Sequence, residues 1–210
     1  MFSNKYIKKY LVKFRYYKNY NLKIFNILGS TNDYLLNIIK SSKIRKKKII
    51  FSKFQISGKG RYSSKWYSGK NKSLLMSVYY KSSNLISIKY FNFITGYSLL
   101  KTLSIFNIHN LKLKYPNDIY VNNKKIAGIL IYVYKKKHII IGIGLNINTL
   151  SFLPLNIKLF SMDLIMCVNH NISKSRISAL IITNLLYYLD FHIEQEYNFL
   201  LNFKFIINYV

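Results

Sequence analysis

Polar and apolar residues alternate through NLKIFNIL (21–28), and this period of two predicts a strand. The next segment, GSTNDYLLNIIK, reads as a short helix. Ser30 or Thr31 is suited to its N-cap, and Leu35, Leu36, Ile38 and Ile39 form its apolar face. KIRKKK (43–48) is expected as a solvated loop, followed by a strand, IIFSKFQ (49–55), that leads into a glycine-containing loop. SLLMSVYY (73–80) is the next strand. Helical spacing returns over 87–107, with Phe91, Ile94, Leu99, Leu103 and Phe106 as core, and Gly96 implies close packing against this helix. LKLKY (111–115) is a short strand ending before Pro116. DIYV, Asn122–Asn123 and KKIAGILIYVY form a hairpin, because Asn tolerates the positive φ such a turn needs. HIIIGIGLNIN (138–148) pairs as a further strand. Residues 149–175 carry no clear pattern. Residues 177–201 read as one long apolar helix with Glu194 and Glu196 on its solvent side. Helices interleave with hairpins rather than forming regular βαβ units, which predicts an α+β domain with a mixed or mostly antiparallel sheet and helices packed on it. There is no internal repeat, and Pro116 and Pro154 mark no linker.

Composition changes this picture in two ways. The chain has 210 residues and is 50% hydrophobic, enough for one sizeable domain with a packed core. Its net charge is +27, from 33 Lys and Arg against 6 acids. A nucleic-acid-binding module is one reading of that charge. The other is compositional drift, since Lys, Asn, Ile, Tyr and Phe share AT-rich codons. The lysines are scattered rather than gathered into a stripe, which favours drift. On such a background a lysine carries little information, whereas an acid or a glycine carries more. A single cysteine, Cys167, excludes an internal disulfide and points to a reducing compartment. His109, His138, His170 and His192 are scattered, so no protein-held metal is expected. The basic, aromatic residues 1–20 lack a secretory signal's apolar centre. No clean apolar run of membrane-spanning length exists, so a cytoplasmic, soluble protein is expected.

Four stretches carry candidate chemistry. In QISGKGRYSSKW (55–66), Gly58 and Gly60 let backbone approach a ligand and take positive φ, and successive N–H groups there could form an anion nest. Arg61 offers a fork for phosphate or carboxylate, and Trp66 a surface for stacking on a base. By itself such a loop is no Walker or dinucleotide motif. In KYPND (114–118), Asp118 is either a turn-former or an acid that holds a lysine or a magnesium ion beside phosphates. In KKIAG (124–128), a lysine beside an acyl carboxylate and a phosphate would neutralise charge as they join, and Gly128 would admit a ligand. In GIGLNIN (142–148), Gly142 and Gly144 weaken a strand unless something approaches closely, and Asn146 suits a base edge.

Taken in order, STN, QxxGxGRxxxxW, KxPND, KKxxGIL and GIGxNxN resemble the biotin–protein ligase family, also called biotin–[acetyl-CoA-carboxylase] ligases, over residues 21 to 148 with a weaker helical echo to about 200. The resemblance implies a class II aminoacyl-tRNA-synthetase/biotin-ligase-like catalytic domain over 21–210, preceded by a basic extension over 1–20. It implies ATP with Mg²⁺, and biotin as substrate. Biotinoyl-5′-AMP would form first, and biotin would then pass to a lysine of a biotin carboxyl carrier domain. By matching position, Ser30, Thr31, Asn32, Gln55, Gly58, Lys59 and Gly128 fall to biotin. Gly60, Arg61, Trp66, Lys114, Asn117 and Asn146 fall to the nucleotide. Lys125, Arg61 and Asp118 fall to the catalytic step, with Lys125, chosen by its place before Ile-Ala-Gly over the neighbouring Lys124 as fallback, bridging the biotin carboxylate and the α-phosphate. Some positions depart from the family. Lys59 stands for an expected Arg, Ser63–Ser64 for Gly and Arg or Asn, and Tyr115 for Trp. The resemblance is to the catalytic domain alone, so no N-terminal winged helix, no C-terminal SH3-like barrel and no specific DNA binding are expected; no membrane partner is expected either, and a homodimer is left open. The rival readings are a lipoate or octanoate ligase or transferase of the same fold, and a basic nucleic-acid-binding protein.

Overall fold

The computed structural model describes residues 2–11, 19–41, 46–82, 87–168 and 172–192. Its centre is a seven-stranded sheet in the order β1-β2-β3-β7-β6-β5-β4. These strands are β1 (Tyr20–Phe25), β2 (Lys47–Ser52), β3 (Ser73–Lys81), β4 (Leu111–Lys114), β5 (Asp118–Val121), β6 (Lys124–Tyr134) and β7 (His138–Asn146). Only β1 and β2 run parallel; every other pair is antiparallel. The mixed α+β sheet expected from the sequence is therefore observed. The β5–β6 hairpin turns at Asn122 and Asn123, both at positive φ. Among the described residues, no helix is long and apolar enough to cross a membrane.

The two faces of the sheet are covered differently. One face carries Ile49, Phe51, Leu74, Met76, Ile129, Ile141 and Ile143, which pack under α3 (Ile88–Ser104) and α6 (Lys174–His192) in the main core. Burying each such side chain contributes about 1.5–3 kcal/mol. Gly96 of α3 lies against Leu113 of β4, where a Cβ would come within 2.7 Å of Cδ1, so the expected close approach is present. The other face carries a smaller apolar group, Ile50, Tyr79 and Ile140, under Leu35 and Ile39 of α2 (Thr31–Lys40). Ser30 is the α2 N-cap, its Oγ accepting from the Asp33 N–H at 3.3 Å.

Several boundaries move. β2 begins inside the basic run expected as loop, at Lys47, and ends at Ser52 rather than at residue 55. The α6 helix starts at Lys174, three residues before its apolar pattern; 193–201, with Glu194 and Glu196, lie outside the described residues, as does His170. Residues 149–175 hold a 3₁₀ turn at Leu150–Phe152 and the short helices α4 (Leu155–Lys158) and α5 (Leu164–Cys167). Residues 1–20 were set apart as an extension, yet α1 (Asn4–Leu11) buries Ile7 and Leu11 fully in the main core and packs on α6. Positions 7 and 11 are one helical turn apart, so its lysines stay in water. His138 is a packing residue, its Nδ1 2.9 Å from Tyr79 Oη and its ring stacked on Tyr79.

The start of α6 holds an unfavourable charge. Lys174 Nζ is buried without a hydrogen-bond partner and lies 4.6 Å from the centre of the Phe2 ring. Burial, reinforced by Lys53, pushes its pKa down from 10.5 to about 8. Its place in the first turn of a helix adds to the penalty. Because the folded value lies below the unfolded one, stability rises with pH between about 8 and 10.5 and carries the cost below that window. Lys174→Met is expected to stabilise the protein at pH 7 by about 1–3 kcal/mol, with the gain fading as pH approaches 10. Thermal melts of both proteins across pH 6–10 check this; a gain independent of pH would contradict the charge argument.

Candidate active site

The α2 face of the sheet loses its side chains along one row. Cross-strand register places Lys114 opposite Asp118, Asp118 opposite Gly128, Gly128 opposite Gly144, and Gly144 opposite Leu75. Two adjacent strands thus present glycine side by side. In the next row Ser77 and Leu130 flank Gly142. The bare lane is filled by the chain itself. The Trp66 indole lies across Gly144 and Gly128, so close that a Cβ on Gly144 would overlap Cε2, and one on Gly128 would sit 2.8 Å from Cζ3. Gly142 is covered in the same manner by the Asn32 side chain. The approach expected at Gly142 and Gly144 is made by Asn32 and Trp66, and at Gly128 the indole and Lys125 occupy the space expected for a ligand.

Trp66 is delivered by a hairpin. Lys59 and Lys65 bridge in antiparallel fashion, the Trp66 N–H donates to Gly58 O at 3.0 Å, and the Gly60 N–H donates to Ser64 O at 2.7 Å. The positive φ values fall on Tyr62 (51°) and Ser63 (61°), and on no glycine. This corrects the expectation for Gly58 and Gly60. Their missing side chains serve close approach instead: a Cβ on Gly58 would collide with Trp66 O, and one on Gly60 with Ser64 Oγ. An anion nest at Gly60 is also excluded, because its N–H is spent within the hairpin.

Lys125 reaches this face through a register defect. It stands three residues before Gly128, and in a regular strand that odd spacing would put the two on opposite faces. A bulge between Ile119/Tyr120 and the facing strand shifts the register, so that Tyr120 pairs with Lys125 while Ile119 pairs with Ala127. Lys125 Nζ then lies 2.7 Å from Asp118 Oδ1, a close ion pair without hydrogen-bond alignment, and 5.5 Å from the centre of the Trp66 ring. The Lys125 backbone is clamped by the Phe160–Met162 segment, its N–H donating to Phe160 O at 2.8 Å and its carbonyl accepting from the Met162 N–H at 2.9 Å. The fork of Arg61 is set from two sides. Nη1 donates to Asn117 Oδ1 at 2.9 Å, and Nη2 donates to Tyr62 Oη at 2.8 Å.

A polar network occupies the deep end. Gln55 Oε1 accepts from the Thr31 N–H at 2.8 Å and from its hydroxyl at 2.9 Å. The Ser77 hydroxyl lies 2.6 Å from Thr31 Oγ1 and 2.5 Å from Asn32 Oδ1, and Asn32 Nδ2 donates to Leu130 O at 3.1 Å. Thr31, Asn32, Gln55 and Ser77 are all buried.

These groups converge on one cavity of about 430 Å³. Ser30, Thr31, Asn32, Gln55, Lys59, Gly60, Arg61, Trp66, Asn117, Asp118, Lys125 and Gly128, all candidates from the sequence, line it. Gly58, Lys114 and Asn146 do not. Gly58 is spent on the hairpin, and Lys114 turns its Nζ over the Tyr120 ring at 5.1 Å. Asn146 is buried, with Nδ2 3.5 Å from the Lys125 carbonyl, so it supports Lys125 from behind. Tyr62, Ser64, Leu75 and Leu130 join the lining without having been anticipated. Leu75 and Leu130 had a signal in the strand register beside the glycines; Tyr62 and Ser64 had none beyond their place in the loop.

The profile of the biotin/lipoate A/B protein ligase family matches residues 24–146. The chain belongs to this family. The bifunctional ligase/repressor BirA of Salmonella typhimurium is 28% identical over 131 residues, covering 60% of this chain and 40% of that protein. Biotin–protein ligase 2 of Arabidopsis thaliana is 26% identical over 130 residues, covering 58% and 39%. The match thus spans less than half the length of these relatives. The fold agrees with a solved structure of the Aquifex aeolicus biotin protein ligase in complex with biotin and ATP, at a TM-score of 0.76 and 24% identity, covering 89% of this chain and 76% of that one. A lipoate protein ligase of Thermoplasma acidophilum shares the fold at a TM-score of 0.57 and 13% identity, over 82% and 83% of the two chains. The matched residues 24–146 run from the end of β1 through β7 and include the hairpin and the glycine lane.

Trp66 is the only tryptophan, so its fluorescence reports on the site. Gly144→Ala is expected to lift the indole from the sheet, shift its emission to longer wavelength and cost about 1–3 kcal/mol. Gly96→Ala meets only the movable Cδ atoms of half-buried Leu113 and gains up to about 1 kcal/mol of helix propensity, so it should cost less than Gly144→Ala and leave the emission unchanged. Emission spectra and denaturant melts of the two variants check this.

Proposed function

We propose that this protein is an ATP-dependent ligase that activates biotin as biotinoyl-5′-AMP and transfers it to a lysine of a biotin carboxyl carrier domain. The observation that carries the reading is the placement of Lys125, held by Asp118, beside an indole seated on bare sheet and in one cavity with the Arg61 fork, which is held by the adjacent Asn117. A carboxylate oxygen of biotin would attack the α-phosphorus of ATP, and pyrophosphate would leave with the electrons of the broken P–O bond. Both reactants are anions, and a desolvated cation at their junction lowers the cost of bringing them together. Lys125 supplies that cation. Arg61 faces the phosphate, and its bonds to Asn117 and Tyr62 limit the ordering needed on binding. In the second step the carrier lysine's amine attacks the acyl carbon, AMP leaves, and an amide forms.

The deep polar network suits a ureido head group, which offers N–H donors and one carbonyl acceptor. Thr31 and Asn32, backed by Ser77, present oxygen atoms there, and Gln55 retains its Nε2 as a donor. Magnesium is expected as the companion of ATP. Among the described residues the cavity offers one carboxylate, Asp118, already paired with Lys125, and no cluster of metal-ligating side chains, so these residues do not build a magnesium site of their own.

Biotin-dependent ATP–pyrophosphate exchange on the purified protein tests the reading. Lys125→Met is expected to lower exchange by about 10²-fold or more while the protein stays folded. Arg61→Gly should release the adenylate and label bystander lysines. Exchange driven by lipoate or octanoate would transfer the activity to the other branch of the family. No exchange with any of the three acids, together with salt-dependent binding to nucleic acid, would favour the basic binding module.

A further inference from the structure

Lys59 was matched to biotin, yet its amine is engaged elsewhere. Nζ lies 2.8 Å from Asp33 Oδ2, in the first turn of α2. Lys59 sits on the outgoing strand of the hairpin, paired with Lys65, and Asp33 follows directly on Ser30, Thr31 and Asn32, which line the cavity. The pair therefore ties the hairpin to the helix whose first residues form one wall of the cavity. A second tie, Arg61 to Asn117, joins the same hairpin to the opposite wall. Between them the hairpin is held at two points, with Trp66 at its end on the glycine lane. We propose that Asp33 is a positioning residue that latches the hairpin closed through Lys59, and so governs how long the activated intermediate is retained.

Three observations support this. Acids are scarce, 6 against 33 Lys and Arg, and this one meets the single cation that lies between Gly58 and Gly60. The hydrogen bond to Asp33, followed by its charge, raises the Lys59 pKa, so the ammonium keeps its charge. Lys is also suited to the task where Arg is expected: a compact ammonium on a flexible stem meets one carboxylate oxygen, whereas the phosphate-facing fork is kept at Arg61. The side chains are 49% and 31% exposed, so the tie is weak and screened by salt, as a latch that must open to admit substrates requires.

The consequence for the reaction rests on the ligase reading, but the latch itself does not. The first arm uses no ligand. Trypsin cleavage after Arg61 and Lys65 is followed in the unliganded protein. Asp33→Asn is expected to speed it about fivefold, the shift a partly exposed pair can impose. Asp33→Glu should restore most of the protection, as should the exchanged pair Asp33→Lys with Lys59→Asp, and 1 M NaCl should bring the unaltered protein toward the Asn variant. The second arm follows loss of labelled adenylate from preloaded protein. Asp33→Asn should lose it about fivefold faster, with a smaller change in pyrophosphate exchange. Unchanged cleavage in Asp33→Asn, or an exchanged pair that folds but stays unprotected, would overturn the latch. Changed cleavage with unchanged adenylate loss would overturn its role in retention. Absence of exchange in the unaltered protein would remove the ligase reading and leave the cleavage result standing.

Discussion

Trp66 lies flat against a lane of sheet that carries no side chains, and the site depends on this contact. Glycine stands side by side on β6 and β7 only because Gly128 and Gly144 share a register, and that register holds from Tyr134 and His138 inward. A methyl group at Gly144 would meet the indole before the hairpin could settle. The same lane brings the indole to within 5.5 Å of Lys125 Nζ, so a cation and an aromatic face share one wall. The indole Nε1 is buried against the sheet without a partner. The molecule accepts that cost where the face of the ring is needed rather than its polar edge.

Charge is organised by the few acids, not by the many bases. Asp118 aligns Lys125. Asp33 holds Lys59. Asp163 is buried, and its two oxygens accept from the Thr149 and Leu150 N–H groups at 2.8 and 2.9 Å, which anchors the segment leading to Phe160 and Met162. That segment in turn clamps the Lys125 backbone. Three carboxylates thus converge on the position of one lysine and the closure of one hairpin. Among the described residues most other lysines lie exposed and meet no acid.

The pattern of apolar residues was enough to read the strands, the two long packing helices and the mixed sheet, because each buries one face at a fixed period. The cavity was legible through motifs, since STN, the glycine loop, PND and KKIAG all arrive at it. What failed to be legible depends on events between strands. The sequence shows Gly58 and Gly60 but not that the turn falls at Tyr62 and Ser63, because which residue takes positive φ is decided by the Gly60–Ser64 pairing. It shows Asn146 on a glycine-rich strand, but not that the strand ends by turning this side chain toward the Lys125 carbonyl. The N-terminal helix was hidden by its lysines, which mask the two positions it buries.

The bulge beside Lys125 is the clearest case of tertiary structure deciding chemistry. Counted along β6, Lys124 rather than Lys125 should share the face of Gly128, since four residues separate that pair and three the other. The slip at Ile126 reverses the phase. Lys124 is exposed, and Lys125 enters the cavity to meet Asp118. Two adjacent lysines with identical intrinsic chemistry are thereby given different roles by one inserted residue. Bulges of this kind commonly re-aim a side chain beside a functional site. The order of causes here runs from the hairpin turn at Asn122–Asn123, which fixes where β6 begins to pair, through the slip at Ile126, to the Lys125–Asp118 pair and the glycine lane beyond it.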